Sequence, residues 1–87
     1  MNQNTTTELS EAIETLQELE EDGGLPKNAK QKINEIIETL EQEKETFIKT
    51  NKALDTLDEI SNNPNIDQHI RTQIWNVVSL LEKINGQ

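Results

Sequence analysis

The stretch EQEKETF, Glu41 to Phe47, decides what this chain folds into. Upstream of it Leu25, Ala29, Ile33, Ile36, Ile37 and Leu40 recur at helical spacing, and downstream Phe47, Ala53, Leu54, Leu57 and Ile60 do the same. No Gly or Pro within it marks a stop. A helix running through would make Pro26 to Ile60 one rod of 35 residues, roughly 50 Å long at about 1.5 Å per residue. Such a rod is too long to pack its stripe inside one small domain. A break is therefore expected, with Thr46 as the cap of a new helix.

The flanks carry clearer punctuation. Thr5 stands three residues before Glu8, the spacing of a capping box, and Leu9, Ala12, Ile13, Leu16 and Leu19 follow as an apolar stripe. Gly23 and Gly24 end that helix near Asp22, and Pro26 suits the first turn of the next, where an amide has no intrahelical acceptor. On the other side SNNPN, residues 61–65, reads as a turn. Asn65, with Gln68 three positions on, is expected to cap a fourth helix running from Ile66 to about Ile84 and closed by Gly86.

Sliding the chain by 41 residues superimposes its two halves without a gap. Ala12 falls on Ala53, Leu16 on Leu57, Leu19 on Ile60, Leu25 on Ile66, Ala29 on Ile70, Ile33 on Ile74, Ile36 on Val77, Ile37 on Val78 and Leu40 on Leu81. Thr5 falls on Thr46, which supports the break in EQEKETF. Two helix hairpins result, neither able to bury its apolar face alone. The expected fold is all-α, a four-helix array of two stacked antiparallel helix hairpins. It forms a single helical domain over residues 1–87 with pseudo-repeat units 5–45 and 46–86. Heptad coincidence between two amphipathic helix pairs is the competing account, and it gives the same four helices.

With 17 acidic and 8 basic residues the formal net charge is −9, which repels polyanions and disfavours nucleic acid as a partner. One Trp, one Phe and no Tyr leave few surfaces on which bases or flat cofactors could stack. The absence of Cys excludes disulfides, thiol catalysis and thiolate zinc sites. No apolar run is long enough to span a bilayer, and no basic segment precedes an apolar one at the start, so no membrane partner and a cytoplasmic location are expected.

Chemistry is sparse. Glu11, Glu14 and Glu18, and likewise Glu38, Glu41 and Glu45, lie opposite the apolar stripes, as a solvated surface should, whereas acid or base catalysis wants a carboxylate partly desolvated. No Glu-x-x-His pair suggests a metal site in a bundle interior, and no glycine-rich phosphate loop is present. His69 with Ser10, Ser61 or Ser79 gives no diagnostic serine-base arrangement. No catalytic residue, metal ligand or cofactor is expected, and the chain reads as no enzyme. Lys27, Lys30 and Lys32 form the one basic knot, and Lys27 and Lys30 with Arg71 are the candidate anion or RNA contact.

His69, Arg71 and Trp75, each the sole His, Arg and Trp, fall within seven consecutive positions. On a helical wheel centred on Ile70, Arg71 lies near ~100° and Trp75 near ~140°, on the shoulder of the stripe. Trp75 either covers the edge of its own core, anchors a dimer or partner interface, or lines a small-ligand groove. Its counterpart 41 residues earlier is Asn34. The candidate interface is Arg71, Trp75, Val78 and Glu82, with Arg71 pairing Asp67, a neighbouring copy's Glu82, or the C-terminal end of another helix.

The segment LDTLDEISNNPNIDQHIRTQIWNVVSLLE, residues 54–82, resembles an uncharacterised family of small, acidic, all-helical archaeal proteins. The likeness is strongest in DEISNNPN and RTQIWNVVS and extends more weakly through LPKNAK. It implies an archaeal cytoplasmic protein with a compact four-helix array, and it carries over no catalytic residue. The expected function is a noncatalytic protein-interaction or assembly module that binds protein, itself as a homodimer or a basic protein through its acidic faces. An RNA- or ribonucleoprotein-associated helper is the alternative, ahead of a small-ligand-binding protein or enzyme.

Overall fold

The computed structural model describes residues 2–86, and the side chains of residues 7–86. It contains α1 (Asn2–Glu20), α2 (Lys27–Glu41), α3 (Thr46–Ser61) and α4 (Gln68–Ile84). Each helix packs on the next in chain order and α4 closes back on α1, while the diagonal pairs stand apart among the described residues. The molecule measures 38 × 20 × 19 Å, too short for the roughly 50 Å rod that an unbroken central helix would make.

EQEKETF breaks as expected, through backbone geometry and not through a side-chain cap. Gln42 is extended at φ −72°, ψ 152°, and Glu45, also non-helical at φ −55°, ψ 132°, is the N-cap of α3 with no side-chain cap bond. Thr46, expected as the cap, is the first helical residue. Lys49 Nζ donates to the Gln42 carbonyl at 3.0 Å and ties the link to α3.

Two further cap positions shift. Asn65 sits in the turn, and the N-cap of α4 is Asp67, again without a side-chain bond. Helix α1 begins at Asn2, so Thr5 lies inside it, with a side chain outside the described residues. Burial explains these shifts. A cap contributes about 1 kcal/mol, whereas each large apolar side chain removed from water contributes about 1.5–3 kcal/mol; the residues that must reach the core therefore set where each helix runs. Gly86 does close α4, at φ +81°, with its N–H donating to the Lys83 carbonyl at 3.0 Å.

The core is built from the stripes read in the sequence. Leu16, Ile33, Ile36, Leu40, Leu57, Ile60, Ile70, Ile74, Val77 and Leu81 are fully buried. Phe47 departs from its stripe and is exposed, and Thr50 takes the core position one turn on, in line with Ala53, Leu57 and Ile60. Burying that hydroxyl leaves no polar atom unpaired: Thr50 Oγ1 lies 2.8 Å from the Thr46 carbonyl and also meets Asn85 Oδ1. Asn85 Nδ2 in turn donates to Asn51 Oδ1 at 3.2 Å, joining the end of α4 to the start of α3.

The α1–α2 and α3–α4 turns use matching hydrogen bonds 41 residues apart. Asp22 N–H donates to the Leu19 carbonyl at 3.0 Å, Leu25 N–H to the Asp22 carbonyl at 3.2 Å, and Gly24 N–H to Asp22 Oδ1 at 2.8 Å. In the second turn Asn63 N–H donates to the Ile60 carbonyl at 3.0 Å, Ile66 N–H to the Asn63 carbonyl at 3.3 Å, and Asn65 N–H to Asn63 Oδ1 at 2.9 Å. A side-chain oxygen thus organises each turn. Neither Gly23 nor Gly24 has positive φ, so the left-handed region is not what glycine supplies there. The turns lie side by side: a Cβ at residue 24 would stand 3.4 Å from Asp67 Oδ2, and His69 Nε2 is 3.7 Å from Asp22 Oδ2.

Candidate protein-docking groove

Trp75, Phe47 and Ile48, the large exposed hydrophobics among the described residues, all belong to α3 and α4. Trp75 retains 53% of its surface in water. It forms one wall of an open cavity of about 310 Å³ between these two helices. Leu54 and Val78, both half-buried against the core, supply its other apolar surface. Asp55, Asp58 and Glu82 bring three carboxylates to it, Ser61 completes the lining, and no basic side chain takes part.

Of the four candidate interface residues, Trp75, Val78 and Glu82 therefore share one groove. Arg71 does not line it. Its Nε donates to the Ser61 carbonyl at 3.2 Å and its Nη2 to the Asn63 carbonyl at 3.0 Å. The Ser61 carbonyl belongs to the C-terminal end of α3, where a cation meets the negative end of the helix dipole, and the Asn63 carbonyl lies in the turn beyond it.

The candidate anion contacts are differently placed. Lys27 and Lys30 are exposed in the first turn of α2, beside the α1–α2 turn, and Arg71 is engaged at the neighbouring turn. Lys32, third of the basic knot, reaches across to α3 and donates to Glu59 Oε1 at 2.9 Å. That hydrogen bond, and then the Glu59 charge, raise the Lys32 pKa above its ordinary value. A second cavity, of about 210 Å³ between α1 and α4, is lined by Thr15, Glu18, Leu19, Asp22, His69 and Gln73. His69 there is 70% exposed, so solvent rather than an apolar wall surrounds it.

Leu54 enters the sequence reading only as part of the α3 stripe, and Asp55 and Asp58 do not enter it. The signal is nevertheless there: on a wheel centred on Ala53, Leu54 falls near ~100°, Phe47 near ~120° and Asp58 near ~140°, the shoulder of α3 that meets the Trp75 shoulder of α4. The corresponding residues of the first hairpin are Ile13 for Leu54, Gln17 for Asp58 and Asn34 for Trp75.

Residues 1–84 match the family model described as uncharacterised protein family UPF0147. A UPF0147 protein of Methanosarcina mazei is 35% identical over 86 residues, covering 97% of this chain and 92% of its own. One from Archaeoglobus fulgidus is 38% identical over 77 residues, 88% of each chain. One from Methanocaldococcus jannaschii is 40% identical over 72 residues, 79% of this chain and 75% of its own. No solved structure matches significantly. Among the described residues no helix is long and apolar enough to cross a membrane.

Proposed function

We propose that this chain, which belongs to the uncharacterised archaeal family UPF0147, is a noncatalytic protein-interaction module whose working surface is the α3–α4 face around Trp75. The observation that carries the proposal is the half-exposed indole beside Leu54 and Val78. A large apolar ring held in water by a rigid helix gains free energy when a partner covers it, and Trp is enriched among the residues that dominate interfaces. The open setting of His69, 70% exposed beside Asp22, supports a noncatalytic role, since among the described residues no enclosed pocket gathers around it.

The two hairpins are taken as diverged copies of one unit, over residues 5–45 and 46–86. The matched turn hydrogen bonds support that history. In this account the first copy stays structural, with Asn34 and Gln17, while the second acquires Trp75 and Asp58 at the same positions. The test is affinity capture from a native extract with the full chain and with Trp75→Ser. A protein retained by the former and lost by the latter, yet kept by Lys27→Glu, is the expected result. Identical captured sets from wild type and Trp75→Ser would overturn the assignment of the surface.

A further inference from the structure

We infer that the α3–α4 groove takes a basic amphipathic helix of another protein, its apolar face on Trp75, Leu54 and Val78 and its Lys or Arg heads on Asp55, Asp58 and Glu82. This rests on the interaction reading above and names the chemistry of the partner. Charge complementarity is the first argument. Three carboxylates surround the apolar surface with no basic side chain in the lining, on a chain of net charge −9. A cationic segment is drawn toward that field before contact. Lys and Arg also fit both halves of the groove at once: the alkyl stem lies on apolar carbon, the head reaches a carboxylate, and the indole face attracts the cation.

Shape is the second argument. The groove lining runs from Leu54 to Ser61 on α3 and from Trp75 to Glu82 on α4, about 10 Å of each helix and enough for roughly two turns of a docked helix. A second copy of this chain fits worse. A two-fold contact sets each patch against itself, which would bring the carboxylates of Asp55, Asp58 and Glu82 from both copies into one interface with no basic side chain in either lining.

The test uses the full chain and three synthetic peptides, each of about 14 residues and patterned for one amphipathic helix: lysine–leucine, glutamate–leucine and glutamine–leucine. Trp75 fluorescence and amide chemical shifts report binding. The lysine–leucine peptide is expected to shift Leu54, Asp58, Trp75 and Val78, to bind more weakly as salt rises, and to lose about tenfold in affinity to the triple variant Asp55→Asn, Asp58→Asn, Glu82→Gln. A control variant, Glu11→Gln, Glu14→Gln, Glu18→Gln, removes the same charge from α1 and is expected to bind within about twofold of wild type. Far-UV circular dichroism checks that both variants are folded.

Equal losses in the two variants would mean diffuse electrostatic attraction and overturn the inference. Equal binding of the glutamine–leucine peptide would overturn it too, since the carboxylates would then be idle. Failure of all peptides, with a dimer in sedimentation that Trp75→Ser dissolves, also overturns it, while leaving the interaction surface standing with a second copy as occupant. No peptide binding and no Trp75-dependent association would remove both.

Discussion

Arg71 closes the end of α3 from the first turn of α4, with its Nε 3.2 Å from the Ser61 carbonyl and its Nη2 3.0 Å from that of Asn63. One planar fork thus meets the Ser61 carbonyl at the α3 terminus and the Asn63 carbonyl of the following turn, which also accepts the Ile66 N–H. Arg71→Met is expected to cost about 1.5–3 kcal/mol, the range for hydrogen bonds to charged groups. Arg71→Lys should restore only part of it, because an ammonium does not reproduce the fork. Urea unfolding followed by circular dichroism measures both, and an unchanged midpoint in Arg71→Met would show that α3 closes without it.

The two turns predict a stabilising substitution. Pro64 occupies the place in the second turn that Gly23 holds in the first, and the surrounding hydrogen bonds match. A Cβ on Gly23 meets nothing within 4 Å. Gly23→Pro should therefore raise stability by about 0.5–1 kcal/mol by reducing the freedom of the unfolded chain. A lowered melting temperature would mean that the turns differ in backbone angle despite their shared bonds.

Thr50→Val keeps the shape of a fully buried side chain while removing the hydroxyl that meets Asn85 Oδ1. A loss of about 1–2 kcal/mol is expected, with faster amide exchange at Leu81 to Asn85 than at Ile70 to Ile74. Uniform exchange across α4 would argue against a local lock.

Trp75 and Leu57 should separate cleanly. Leu57→Ala empties a fully buried site and is expected to cost about 2–5 kcal/mol. Trp75→Ser removes a larger side chain but one 53% exposed, and should cost under about 1 kcal/mol. Thermal melts of the two variants decide whether the indole serves the core of its own chain.

Apolar spacing was enough to place the four helices and nearly every core residue, because burial at a 3.6-residue period is the strongest force acting on this chain. It did not place Thr50, a polar residue whose burial depends on Asn85, 35 positions away, or Phe47, which has the composition of a core residue and the angle of a shoulder residue. Caps were misplaced by one or two residues at Thr46 and Asn65, since burial outweighs them. For the groove, the α4 wall was readable from the wheel: Trp75, Val78 and Glu82 were named together. The α3 wall was not, because knowing that Asp58 faces Trp75 requires knowing which helices are neighbours. The hydrogen-bond partners of Arg71 within the chain are carbonyls, which leave no mark in a sequence.

The closure of α4 onto α1 makes the order of the halves immaterial to the packing. Glu11 and Lys83 flank one shallow cavity, so the early part of α1 runs beside the late part of α4. A circularly permuted chain, cut in the link between Glu41 and Thr46 and joined by a short bridge from α4 to α1, would keep every helix beside the same two neighbours. The linear chain is one way of threading a closed ring of four helices, and the ring, more than the direction of travel around it, is what the apolar stripes encode.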